Sequence, residues 1–185
     1  METELTKKVF TVEDYYRMDE AGVFAPGERV ELINGEIVEM SPIGSRHAAC
    51  VNRLNQLLLS VQGRAIVSIQ NPSLLSVYSV PQPDVMLLEP KDDFYASALP
   101  EPKDVLMMIE VSDTTLRYDR RIKAPLYASA GIPEVWVVDL KGDRIHVYRN
   151  PGGDSYRTTA KVDRSGTVSP LAFPDLVLSA DAILL

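Results

Sequence analysis

The sequence predicts a mixed α/β fold, in which helices flank a central mixed β-sheet and a hairpin lies near the N-terminus. Three observations carry that expectation. The 185 residues suit one domain and can bury a real core. Asn34-Gly35 sits between two β-like runs. The elements read in the order helix, hairpin, helix, several strands, helix and more strands, with no repeat or low-complexity tract dividing them.

Thr11-Val12-Glu13-Asp14 spells a capping box, with Asp where Glu or Gln is usual, and predicts a short helix to about Met18. The runs 29–33 and 36–40 flank Asn34-Gly35, and both turn residues tolerate the positive φ of a type I′ turn. Ala48, Val51, Leu54, Leu58 and Val61 share one face of a helix predicted over 45–62. It is entered through Ser41-Pro42-Ile43-Gly44, with Ser45 as its N-cap. Runs of β character follow at 65–69, 74–78, 84–88 and 105–111. The polar stretch 89–104 carries three prolines and predicts a surface excursion. Residues 118–130 read as a helix ended by Gly131 and Pro133, and Pro125 should kink it or mark its first regular turn. Residues 135–138 read as a buried strand, Lys141-Gly142-Asp143 as a turn into a strand over 144–149, and the tail as more strand-like than helical.

An apolar fraction of 45% and a charged fraction of 24% are those of an ordinary globular protein. The lone Cys50 has no partner for an internal disulfide, and one Cys with two His argues against a structural zinc site. No signal-peptide pattern opens the sequence and no run approaches a bilayer span, so the cytoplasm is the expected compartment. The net charge of −7 weighs against nucleic acid as a partner, yet the charge is uneven. Residues 1–44 hold ten acids and four bases, a balance of −6. Residues 116–123 hold four bases and one acid, and 141–164 six bases and three acids, each a balance of +3. A nuclease needs a basic groove, not a basic whole; solvated faces explain the same clusters equally well.

Asp84 follows Pro83 at the start of the apolar run Val85-Met86-Leu87-Leu88, and Glu110 interrupts the apolar strand 105–111. A carboxylate at the end of a buried strand is costly unless paired or bound to a cation. Two of them at neighbouring strand ends make a hard-oxygen site suited to Mg²⁺. A turn terminus would explain Asp84 alone, and an arginine partner would explain Glu110.

The ordered segments Val80-Pro81-Gln82-Pro83-Asp84-Val85, Met108-Ile109-Glu110-Val111-Ser112, Tyr118-Asp119-Arg120-Arg121-Ile122-Lys123-Ala124-Pro125-Leu126-Tyr127-Ala128 and Gly131-Ile132-Pro133-Glu134-Val135-Trp136-Val137-Val138-Asp139 carry a family resemblance. So do the stretches 31–36 and 41–48 and the triplet Gln70-Asn71-Pro72. Together, over residues 11–178, they resemble the Uma-two family of restriction-endonuclease-like proteins, placed in the PD-(D/E)XK nuclease superfamily. The resemblance implies one restriction-endonuclease-like domain over 1–185. It also implies a metal-dependent endonuclease that hydrolyses phosphodiester bonds of nucleic acid, with DNA the expected substrate. Asp84 and Glu110 would hold Mg²⁺ or Mn²⁺. The superfamily lysine of E-x-K is missing, since Ser112 stands there, and the family pattern offers Lys123 from the following helix as its replacement. Glu31, His47 and Gln70 are additional candidates, as a third acid, a phosphate contact and a site-lining amide; a solvent-facing strand residue, a helix-terminus histidine and a strand-end hydrogen bond are their plainer readings. Tyr127 and Trp136 read as core. Cutting both strands with one site per chain would ask for a homodimer. The rival expectation is a non-catalytic module that keeps the fold and binds nucleic acid or protein; a hydrolase of other phosphoesters is the third.

Overall fold

The structure, a computed structural model, describes residues 6–185. Thr11 caps helix α1 (Val12–Glu20): its hydroxyl accepts from the Asp14 N–H, and the Asp14 carboxylate accepts from the Thr11 N–H. Strands β1 (Val30–Ile33) and β2 (Glu36–Glu39) pair antiparallel. Between them Asn34 and Gly35 take φ of 51° and 77°, the left-handed pair that the hairpin motif anticipates. Helix α2 (Ser45–Leu58) buries Cys50, Val51, Leu54 and Leu58, and one 3₁₀ turn extends the same face to Val61. Its N-cap is Gly44, with no side-chain cap bond; Ser45 is the first helical residue instead of the expected cap.

The central sheet has six strands, β3 (Ile66–Ile69), β4 (Val85–Leu88), β5 (Val105–Ser112), β6 (Glu134–Asp139), β7 (Arg144–Gly152) and β8 (Ser155–Asp163), in that spatial order. Every neighbouring pair is antiparallel except β5–β6. That parallel step needs a crossover, and the helical run 116–129 supplies it. The run is α3 (Leu116–Tyr118), a π-helical turn (Asp119–Lys123) and α4 (Ala124–Ser129), stopped by Gly131 at φ 80°. Pro125 has no N–H to give, and its ring crowds the carbonyl four residues back. The chain widens at this point, and the Ala124 N–H reaches back five residues to the Asp119 carbonyl. Two short strands, β9 (Thr167–Val168) and β10 (Leu178–Ser179), and helix α5 (Ala180–Ile183) complete the tail.

Residues 74–78 are not a strand. Ser76 and Ser79 close a tight turn, leaving Val77 and Tyr78 exposed. Their carbonyls are taken by the Val12 and Gly35 N–H groups, so α1 and the hairpin compete successfully for backbone that a sheet would have used.

Alternate residues of a strand face opposite ways. Val85, Leu87, Ile109, Val111, Trp136 and Val138 pack with α2 and α5 on one face. Met86, Leu88, Met108, Val135 and Val137 pack with Tyr127, Ala128 and Ile132 on the other. Glu134 is fully buried on the first face. It accepts from the Trp136 indole (2.8 Å), the Arg149 guanidinium (2.7 Å) and the Leu171 N–H (2.5 Å), which pins the tail to the sheet. Cys50 is also sealed there, its thiol directed at the Ile183 carbonyl.

Candidate active site

The second sheet face changes character at one end. Asp84 immediately precedes β4, and extending the Val85–Ile109 register sets it across from Glu110. Both are buried, at 7% and 3% exposure. Two buried carboxylates from neighbouring strand ends thus line one cleft.

Lys123, buried in the π turn, directs its ammonium inward. Nζ lies 3.2 Å from Glu110 Oε1 and 3.1 Å from Glu31 Oε1. Burial opposes that charge, but Glu110 and Glu31 outweigh it, so the ammonium titrates above its usual range and stays protonated. Glu31 comes from β1 and is also buried; its second oxygen accepts the Gln82 N–H at 3.1 Å. Glu110 Oε1 further accepts the Tyr127 hydroxyl. Burial raises the Glu110 pKa well above the ordinary carboxyl value; Lys123 opposes this, and the nearby charges of Asp119, Asp84 and Glu31 add to it.

Asp84 is held differently. Its Oδ2 accepts from the Val111 N–H (2.8 Å) and pairs with His47 Nε2 (3.0 Å), while Oδ1 accepts from the Gln70 amide (3.1 Å). Burial works against its charge, yet these partners prevail and hold its pKa below the ordinary value. The same contact with Asp84 raises the pKa of His47, whose Nδ1 is buried without a partner among the described residues.

A cleft of about 760 Å³ opens over these groups, between the hairpin and the helical run. All six residues expected from the sequence line it: Glu31, His47, Gln70, Asp84, Glu110 and Lys123. Glu31 is buried and pairs with Lys123 instead of facing solvent; His47, in the first turn of α2, and Gln70, just past β3, both bond Asp84. Four participants were not anticipated. Tyr127 is core, as expected, but its hydroxyl reaches Glu110. Ser112 donates to Asp119 Oδ2 at 2.7 Å, joined by Thr115 at 2.6 Å. Asp119 is buried within a basic stretch; burial raises its pKa, and the two hydroxyls and Lys123 counter it. Its i,i+4 spacing to Lys123 was the available signal.

Among the described residues no group of three or more His, Cys, Asp or Glu side chains is spaced to enclose a metal. The donor set fits the other kind of site, in which one or two carboxylates carry a hard cation and water and substrate oxygens supply the rest. No helix among the described residues is long and apolar enough to cross a membrane.

Residues 12–181 match the Uma2 family, described as "Putative restriction endonuclease". A solved structure from Anabaena variabilis, described as a "putative nuclease belonging to DUF820", is similar at 16% identity. It covers 94% of this chain and 97% of its own, with a TM-score of 0.71, a likeness of fold. Among curated proteins, none matches. A family match over nearly the whole chain, on a mixed six-stranded sheet with this fold, leads to one conclusion: the chain belongs to the Uma2 family.

Proposed function

We propose that this protein is a metal-dependent endonuclease that hydrolyses phosphodiester bonds in nucleic acid, with DNA as the expected substrate. The observation that carries the reading is that the buried carboxylates Asp84 and Glu110, from neighbouring strand ends, line one open cleft with the Lys123 ammonium. Mg²⁺ or Mn²⁺ held by these carboxylates would polarise the phosphate and acidify a water.

The chain's own residues do the remaining work. His47, Gln70 and the Val111 N–H fix the Asp84 carboxylate in position. Glu31 and Tyr127 do the same for Lys123 and Glu110. Lys123 stays protonated, so it offsets negative charge at the phosphorus and does not take a proton. Arg29, Arg117 and Arg121 line the cleft and form no ion pair among the described residues, which leaves them for phosphate oxygens despite the acidic whole.

One observation favours the rival, a non-catalytic binding module: Lys123, His47 and Gln70 already satisfy the acidic pair without a cation. Incubating the pure protein with plasmid and single-stranded substrates, in Mg²⁺, Mn²⁺ or EDTA, separates the two. Cleavage that needs metal and falls steeply with salt supports the nuclease. Tight binding without cutting, under every metal, supports the module. A homodimer would serve cutting of both strands, and light scattering of the free and DNA-bound protein tests it.

A further inference from the structure

Resting on the nuclease reading, we propose that Asp119 is the general base that takes the proton from the attacking water, and that Ser112 and Thr115 position it. Hydrolysis requires a proton acceptor facing the cleft, and the obvious groups are engaged elsewhere. Lys123 is locked as an ammonium between Glu31 and Glu110. His47 spends Nε2 on Asp84, and its Nδ1 is sealed from the cleft. Asp84 and Glu110 are committed to the cation.

Asp119 lines the same cleft, and its carboxylate is held in a defined way. The Ser112 and Thr115 hydroxyls both donate to Oδ2, at 2.7 and 2.6 Å. Oδ1 takes no hydrogen bond from the described residues and is not sealed from solvent. One oxygen is anchored and the other is left for water. Ser112 stands where E-x-K would have its lysine, so the strand position that elsewhere carries a cation here supports a carboxylate instead.

In the step, a water oxygen lone pair forms the new bond to phosphorus as its proton passes to Asp119 Oδ1. The ester P–O bond breaks, its electron pair leaves with the sugar oxygen, and that oxygen takes a proton from solvent. Burial suits Asp119 to the task by raising its pKa, a direction that makes a carboxylate a better base. The groups facing it are Asp84 from the β4 end, Glu110 from β5, His47 from α2, Tyr127 from α4, and Tyr118 and Lys123 from its own helical run.

Cleavage of plasmid DNA in Mg²⁺ from pH 5 to 9 tests this, with calorimetric Mg²⁺ titration and thermal melting of the same samples. Asp119→Asn should lose roughly 10²-fold or more in rate, the scale of a positioned base. It should bind Mg²⁺ and melt as the wild type does, and lose the rise of rate with pH on the acid side. Ser112→Ala with Thr115→Val removes two donors that favour the charged form, so the acid limb should move to higher pH. Asp119→Ala should regain activity when formate is added. The proposal is overturned if Asp119→Asn cuts at the wild-type rate, or loses Mg²⁺ binding, or if formate rescues nothing. A wild type that cuts nothing with any metal overturns the nuclease reading as well; a wild type that cuts beside a fully active Asp119→Asn removes the base and leaves the nuclease standing.

Discussion

Two buried glutamates on adjacent strands, Glu110 and Glu134, have opposite fates. Glu134 uses both oxygens, on an indole, a guanidinium and a backbone N–H, and no cleft reaches it. Glu110 takes an ammonium and a phenol on a single oxygen, beneath an open cleft, with other acids close by. Near-complete burial is common to both and identifies neither. The cleft separates them: Glu134, with both oxygens used and no cleft above it, is a fastener, whereas Glu110 keeps one oxygen without a hydrogen bond from the described residues in a cleft that it shares with other acids. Like charges held together are unfavourable unless something else is bound there.

The comparison breaks most visibly in Glu110→Gln. An amide has no charge for a hard cation, so metal heats and cleavage should both drop below detection. Stability should answer through its pH dependence. A carboxyl with a folded pKa above its unfolded value of about 4.5 binds its proton more tightly when folded, so stability falls as pH rises through the folded value. Glutamine mimics the protonated form, so the variant should lose that pH dependence in urea melts; a pH dependence equal to the wild type's would erase the distinction. Glu134→Ala should instead strand Arg149, Trp136 and Leu171 and cost about 3 kcal/mol, a fall of roughly 6–12 °C in Tm. Below its melting point it should cut at the wild-type rate.

Lys123→Ala should slow cleavage by about 10²-fold while metal binding largely survives, because the ammonium is not a ligand. Lys123→Arg should recover little, since a planar guanidinium does not fit between Glu31 and Glu110. Smallest is Gln70→Ala, which should weaken Mg²⁺ binding about 10-fold through loss of a hydrogen bond that orients Asp84. An unchanged titration there would make Gln70 a strand-end contact only.

Where a feature depends on neighbours in sequence, it was legible. The Thr11–Asp14 box and the Asn34-Gly35 turn are complete within four residues, and both form as written. Residues 74–78 looked like a strand because nothing local reveals that the backbone N–H groups of Val12 and Gly35 would claim their carbonyls. Asp84, Glu110 and Lys123 stood out against an apolar run or through the family pattern. Asp119 did not, because a lone acid among arginines reads as a solvated helix face; its burial comes from the sheet beneath, where Ser112 meets it. The strand order, with its single parallel step, depends on contacts far apart in the chain and left no local mark.

Cys50 offers a window on the apolar layer beneath α2. It is the chain's only cysteine, fully buried, and burial lifts its thiol pKa to about 12, so the reactive thiolate is scarce while α2 stays docked. An alkylating reagent can therefore reach it only through openings that expose the apolar layer. The labelling rate counts those openings, and α2 also carries His47, which bonds Asp84. Pulse alkylation followed by mass measurement would show, variant by variant, whether a change in the acidic site loosens the docking of α2 or stops at His47.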